Sequence, residues 1–284
     1  MDLGRVGVWW SGSWRIEDEA IDVAAELEEL GYSTLWSSGG FNPGLSSRFG
    51  RLLASTQRVK VASGIVSIWV SPAADIAAAA NALEAEHPGR FLLGVGASHG
   101  VAVQGYRRPY SRMLDYLDEL DGAGDPVPRD RRALAALGPK MLRLAAERSA
   151  GAHPYFVPAE HTARARELLG DGPLLAPEVT VVLEPDPAKA RDLGRTFTTG
   201  YLTLPNYTNN LRNFGFGDDD LAGGGSDRLV DAIVSWGDVG TVAAKVKRHL
   251  DAGADHVCVQ VVSGSREHFP LAEYRELAPA LISG

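Results

Sequence analysis

Four consecutive residues have the types that bind an anion at the start of a helix. Leu137, Gly138, Pro139 and Lys140 lead into the helical pattern that begins at Met141. Proline suits the first position of a helix, where backbone N–H groups stay free and the helix dipole favours a negative charge. Plain helix initiation explains the same residues. We therefore predict a phosphate site at residues 137–140, with helix initiation as the alternative.

Indole side chains follow three of the segments that have strand character. Trp9 and Trp10 end the first segment, Trp36 ends the second, and Trp69 follows the third. Indoles at strand ends would form a flat apolar wall that suits a planar ring. The alternative is that some of these side chains fill the space between strands and helices.

Small and hydroxyl-bearing residues follow the same segments. Residues 37–40 read Ser-Ser-Gly-Gly, Gly64 interrupts the third segment, and residues 94–99 read Gly-Val-Gly-Ala-Ser-His. Glycine lets the backbone come close to a ligand, whereas ordinary turns and close packing are the alternatives. Together with the second-strand indole, these positions are candidates for binding a cofactor: Trp36, Ser38, Gly39, Gly64, Ser67, Gly96 and Ser98.

Histidine and acidic residues offer few further sites. His99, at the end of the fourth segment, is the candidate for moving a proton, because an unperturbed imidazole titrates near neutral pH. Glu178 begins a segment after a proline, and we expect it to form a buried ion pair. No set of histidine, cysteine or acidic residues has the spacing of metal ligands, so we expect no metal site.

Strand-like and helical segments alternate along the chain. Helical spacing of apolar residues, as at residues 17–30 and 242–252, separates eight short apolar segments. This alternation predicts a parallel sheet covered by helices, and the lack of a dinucleotide glycine motif favours a closed barrel over an open sheet. The predicted strands lie at residues 5–10, 33–36, 59–65, 90–95, 132–137, 153–157, 178–183 and 255–262.

The predicted fold is an α/β fold, a (β/α)8 TIM barrel that forms a single domain over residues 1–284. The alternation breaks between residues 195 and 225, so we expect an extended loop insertion between strands 7 and 8. A long loop of this kind is usually a lid or a subunit contact. In such a barrel the active site lies at the C-terminal ends of the strands, where the candidate residues fall.

The composition restricts the partners of the protein. The formal net charge is −8, which argues against a nucleic-acid surface, because phosphate backbones bind to basic faces. Cys258 is the only cysteine, which indicates a reducing compartment. The sequence lacks the features of a signal peptide and any apolar run long enough to span a membrane. We expect a soluble, cytoplasmic enzyme that acts on a small molecule.

Five stretches together resemble the luciferase-like monooxygenase superfamily, and within it the actinobacterial oxidoreductases that use the deazaflavin coenzyme F(420). They include Gly-Ala-His-Pro-Tyr-Phe-Val at residues 151–157 and Tyr-Leu-Thr-Leu-Pro-Asn-Tyr-Thr-Asn-Asn at residues 201–210. The others lie at residues 88–96, 135–147 and 253–260, so the resemblance covers nearly the whole chain.

The resemblance implies how a cofactor would be held. A non-prolyl cis peptide, which maps to Gly64–Ile65, would lie behind the ring. Residues 137–140 would bind the cofactor phosphate, and Pro154 and Tyr155 would also contact the cofactor. Coenzyme F(420) is the implied cofactor, with FMN as the alternative, and a homodimer is the usual assembly of the family.

One position departs from the family pattern. Its deazaflavin dehydrogenases often carry an Asp–His pair after the second strand, whereas Gly39 and Gly40 stand at the matching positions here. The departure leaves the proton-handling group open, and His99 is our replacement candidate.

The expected function is a coenzyme F(420)-dependent oxidoreductase that transfers a hydride between the cofactor and a small organic substrate. Two alternatives stay open. One is an FMN-dependent luciferase-like monooxygenase, and the other is a non-catalytic flavin-binding barrel.

Overall fold

The computed structural model describes residues 1–11, 18–38, 45–265 and 268–282, which form helices around a parallel sheet. The strands, in chain order, are β1 (Val6–Trp10), β2 (Thr34–Ser37), β3 (Lys60–Ser63), β4 (Val66–Ser67), β5 (Phe91–Gly96), β6 (Arg132–Leu134), β7 (Gly151–Ala152), β8 (Leu174–Leu175), β9 (Glu178–Leu183), β10 (Val234–Gly237) and β11 (Val257–Val261).

Helices connect these strands and cover the outside of the sheet. They are α1 (Asp18–Glu29), α2 (Leu45–Ala54), α3 (Ala73–Glu86), α4 (Pro109–Asp121), α5 (Pro139–Arg148), α6 (Ala159–Leu169), α7 (Pro187–Tyr201), α8 (Pro205–Arg212), α9 (Asp218–Leu221), α10 (Asp227–Ile233), α11 (Val239–Asp251) and α12 (Leu271–Ile282). Within the described residues, no helix has both the length and the apolar character needed to cross a membrane.

The sheet closes on itself as a ring. β1 pairs with β2 on one side and with β11 on the other. β8 and β9 act as one strand interrupted at Ala176 and Pro177, because the Ala176 N–H donates to Ala152 O and the Cys258 N–H donates to Pro177 O. The ring therefore contains eight strand positions, and β10 pairs with β9 as an addition. The predicted α/β barrel is confirmed.

Alternation along the strands separates the lumen from the outer layer. In β2 the side chain of Trp36 packs with Ala62 and Cys258 in one buried cluster inside the ring. The neighbouring Leu35 and Val61 belong to the larger cluster that packs against the helices. Successive residues of a strand point to opposite faces, so near-continuous apolar strands fill both layers.

The insertion lies where we predicted it, but its predicted conformation is wrong. Residues 195–225 are not an extended loop, since α7 runs to Tyr201 and α8 and α9 follow. Pro205 occupies the first turn of α8, and Leu204, Tyr207 and Leu211 are buried. Their spacing is helical, although the asparagines and threonines between them have low helix propensity.

The sixth predicted strand is displaced. β7 ends at Ala152, so residues 153–157 are not a strand. Pro154 has no N–H to donate to a neighbouring strand, and Phe156 has a φ of 59°. The chain leaves the sheet at this point, which carries His153 and Tyr155 to the C-terminal edge of the barrel.

Candidate functional site

The C-terminal ends of the strands and the loops after them form the barrel mouth. Its floor consists of Trp9, Gly64, His153 and Tyr155. A Cβ atom on Gly64 would lie 2.5 Å from Cη2 of Trp9, closer still to Cζ3 of that indole, and 3.3 Å from Nε2 of His153. The ring centroids of Trp9 and Tyr155 are 5.1 Å apart. The mouth floor is therefore largely aromatic, with the Tyr155 ring tilted by 55° from that of Trp9 and with the indole covering Gly64.

The third strand breaks where the resemblance implied. The Gly64–Ile65 peptide is cis, which confirms that prediction. Ile65 lies against Gly96, where a Cβ would come within 2.7 Å of Cγ1 of Ile65. Ser67 ends β4, is buried, and pairs in register with Gly96. Four of the predicted cofactor-binding residues thus lie together on one side of the mouth.

The indoles that follow the strands have different positions. Trp36 is fully buried below the mouth floor, stacks on His153 at 4.2 Å, and donates its indole N–H to Nε2 of His256 at 3.0 Å. Trp10 points outward and stacks on Phe269. Trp36 therefore supports the floor from beneath, and of the strand-end indoles in β1 and β2 only Trp9 belongs to the floor.

His153 is held as a neutral imidazole. Its Nδ1 lies 2.6 Å from Ala176 O, so the proton is on Nδ1 and donates to that carbonyl. Burial lowers the pKa of His153 to about 4, which keeps the ring uncharged at neutral pH. Nε2 has no hydrogen-bond partner among the described residues and faces Gly64.

Glu178 does not form the ion pair that we expected. Its carboxyl accepts hydrogen bonds from the Thr180 hydroxyl at 2.5 Å and from the Phe156 N–H at 3.4 Å. Burial raises the pKa of Glu178 to about 8, so the carboxyl is mostly protonated at neutral pH. A buried acid that lacks a cation takes the neutral form instead of forming a salt bridge.

A chain of hydroxyl groups joins the mouth floor to the insertion. The Tyr155 hydroxyl lies 2.8 Å from the Tyr201 hydroxyl and donates to Oε1 of Gln260 at 2.7 Å. Since Oε1 only accepts, the Tyr201 hydroxyl donates to the Tyr155 oxygen. Sequence analysis missed Gln260 as a site residue. The alternation of β11 places Gln260 on the lumen face with Cys258, and that signal could have found it.

His99 meets the insertion at the edge of the mouth. Its Nδ1 lies 3.2 Å from Oδ1 of Asn206 in α8, and its ring lies 5.3 Å from that of Tyr207. Burial lowers the pKa of His99, and the hydrogen bond that the ring donates to Oδ1 of Asn206 opposes that shift in part. The preceding Ser98 has a φ of 56° and is half-buried.

The start of α5 has free donors. Gly138 is the N-cap residue, Pro139 is the first helical residue, and both are exposed together with Lys140. The backbone N–H groups of Gly138, Lys140 and Met141 make no hydrogen bond to the described residues. Nothing lies within 4 Å of the position that a Cβ on Gly138 would occupy. We call residues 137–141 the anion clasp.

The predicted site residues that remain are Ser38, Gly39 and Pro154. Ser38 is half-buried, and its carbonyl oxygen accepts a hydrogen bond from Arg48 at 3.1 Å. Gly39 and Gly40 lie outside the described residues. Pro154 is buried, and its carbonyl oxygen accepts the N–H of Glu178, which joins the mouth floor to β9.

Comparisons with known proteins find a family model and a distant relative that each match part of the chain. The family model for luciferase-like monooxygenases matches residues 15–127. A putative coenzyme F(420)-dependent oxidoreductase of Mycobacterium tuberculosis, Rv3520c, is 25% identical over 212 residues, which are 61% of this chain and 60% of that protein. The match thus spans less than two thirds of the relative's length.

Solved structures share the fold over almost the whole chain. An F(420)-dependent secondary alcohol dehydrogenase, in complex with an F(420)–acetone adduct, has a TM-score of 0.75 at 17% identity and covers 98% of this chain and 99% of its own. The oxygenating constituent of 3,6-diketocamphane monooxygenase from Pseudomonas putida, in complex with FMN, has a TM-score of 0.66 at 17% identity, with 97% and 96% covered.

Proposed function

Because the chain belongs to the luciferase-like monooxygenase family, we propose that it is an oxidoreductase that uses coenzyme F(420) and a small organic substrate. One observation carries the proposal: a largely aromatic floor and a set of free N–H donors lie at the same end of one barrel. A flavin-type cofactor has a planar ring and a phosphate, and therefore needs both.

The residues present suit such a cofactor. At Gly64 and Gly96 the indole of Trp9 and the side chain of Ile65 fill the space of a Cβ atom, so these apolar side chains would form the surface on which a planar ring lies. The anion clasp offers N–H groups at the N-terminus of a ten-residue helix, with the exposed Lys140 beside them. A phosphate is stabilised at that end by hydrogen bonds and by the helix dipole.

The choice of F(420) over FMN rests on similarity. The curated relative is described as F(420)-dependent, and the F(420)-dependent alcohol dehydrogenase has the higher TM-score of the two structures above. FMN is the alternative cofactor, because the FMN-bound monooxygenase has the same fold and FMN also carries a phosphate group. The anion clasp suits either molecule.

The chain's own residues would bind the cofactor, orient the substrate and exchange a proton with it. A bound deazaflavin supplies hydride transfer. Trp9 and Gly64 would support one face of the ring, and the insertion, through Tyr201 and Tyr207, would form a wall for the substrate. His99 donates its Nδ1–H to Asn206, which leaves Nε2 as an acceptor. We propose that Nε2 takes the proton from an alcohol, or returns it to a carbonyl oxygen in the opposite direction.

Two substitutions in the anion clasp should separate the contribution of the Lys140 side chain from that of the backbone N–H groups. Lys140→Ala should weaken binding of F(420) by about fivefold, because the backbone N–H groups remain. Gly138→Val should weaken it by about a hundredfold, because the valine side chain would fill the open space that the phosphate needs. Fluorescence titration of the deazaflavin gives both dissociation constants.

Gly124→Val is the matched control, since a Cβ there also meets open space and the residue precedes β6, whereas the clasp follows that strand. An unchanged affinity in Gly138→Val would mean that this loop does not hold the phosphate.

A further inference from the structure

His161 reaches the anion clasp from a neighbouring helix. It is the third residue of α6, it is buried, and its Nε2 lies 2.9 Å from Leu137 O. Because a carbonyl oxygen only accepts, the imidazole proton is on Nε2 and donates to Leu137. Phe214 of the insertion packs on the same ring, with the centroids 5.5 Å apart.

This hydrogen bond fixes the direction of one donor of the clasp. The C=O and the N–H of a trans peptide point in opposite directions. Since Leu137 O points inward to the buried His161, the N–H of Gly138 points outward. That N–H has no partner among the described residues, and the space beside Gly138 is open. It therefore joins the free N–H groups of Lys140 and Met141 at the start of α5.

We propose that His161 is a positioning residue that gives the mouth its preference for a phosphorylated cofactor over the same ring without phosphate. The inference rests on the proposed function, since it concerns the same cofactor. His161 acts through the Leu137–Gly138 peptide and does not itself touch the phosphate.

The surroundings of His161 keep it in the form that this role needs. Burial lowers the pKa of His161, so the ring is neutral and the single proton stays on Nε2. Nδ1 has no hydrogen-bond partner among the described residues. Without the Nε2–H the Leu137 carbonyl would lose its donor, and the peptide would be free to turn.

The test compares ring systems with and without their phosphate-bearing tail, and FMN and riboflavin differ in the phosphate alone. F(420) and its phosphate-free deazaflavin chromophore, and FMN and riboflavin, are titrated into the wild type, His161→Phe and His161→Gln. We expect His161→Phe to lose affinity for the phosphorylated ligand by about tenfold, the effect of one charge-assisted hydrogen bond, and to bind the phosphate-free ring as the wild type does. His161→Gln keeps an N–H donor and should restore most of the preference.

A second buried histidine is the control. His249 in α11 bonds to the Thr162 hydroxyl at 2.9 Å and makes no hydrogen bond to Leu137, so His249→Phe should leave the phosphate preference unchanged. His161→Met replaces the phenylalanine variant if that variant does not fold. An equal loss of affinity for phosphorylated and phosphate-free ligands in His161→Phe, or an unchanged preference in that variant, would overturn this inference. Neither result would overturn the proposed function. If the wild type binds none of the four ligands, the proposed function fails as well.

Discussion

Gly64→Ala should abolish cofactor binding and lower the free energy of unfolding by about 1–3 kcal/mol. The new Cβ would lie 2.5 Å from Cη2 of Trp9 and closer still to Cζ3, within a floor that His153 closes on the other side. The indole is packed against Tyr155 and His153 and cannot move without disturbing both. Urea denaturation and deazaflavin titration measure the two losses.

A second substitution separates steric conflict from loss of the glycine itself. Trp9→Leu in the Gly64→Ala background removes the indole, so it should recover part of the lost stability but not cofactor binding. Gly124→Ala, at an exposed position with open space around it, should leave both quantities unchanged. A Gly64→Ala protein with the stability and affinity of the wild type would contradict our description of the mouth floor.

The wild type should lose stability as pH rises towards 8, and Glu178→Gln should not show this loss. The pKa of Glu178 is raised to about 8 by burial, whereas the ordinary pKa of a glutamate, which applies to the unfolded chain, is 4.5. Between these pH values the folded protein keeps a proton that the unfolded chain releases, so the free energy of unfolding falls as pH rises towards 8. From pH 6 to pH 8 the wild type should lose about 2 kcal/mol relative to Glu178→Gln.

Comparing the wild type with Glu178→Gln cancels the contributions of the other buried groups to the pH dependence of the free energy of unfolding. His153 and His256 have pKa values lowered to about 4, so they favour the folded state increasingly as pH rises through their unfolded values. That trend is opposite in sign and is common to both proteins. Urea denaturation at pH 6, 7 and 8 gives the difference between the two proteins. Parallel pH profiles would show that Glu178 titrates normally.

The barrel could be predicted from the sequence because its signals are local. Apolar strands alternate with amphipathic helices, and Gly64 breaks the third strand within an otherwise regular apolar run. Placing the cis peptide at Gly64–Ile65 needed the family resemblance as well. The start of α5 was also predictable, since a glycine and a proline at a helix start limit how the backbone can run.

The contents of the mouth depend on long-range contacts and were harder to predict. Glu178 begins a strand, but only the packing of the whole barrel shows that no cation reaches it among the described residues. Tyr155 and Gln260 meet across 105 positions of sequence. His99 and Asn206 meet only because the insertion is helical and returns to the mouth, whereas its polar composition indicated a loop.

The central claim is that this mouth binds a deazaflavin, and one titration tests it directly. Purified protein is titrated with F(420) and, in parallel, with FMN, and binding is followed by fluorescence. We expect saturable binding of F(420) at one site per chain, with FMN bound more weakly. Tight binding of FMN without binding of F(420) would contradict the choice of cofactor, and binding of neither would contradict a flavin-type site.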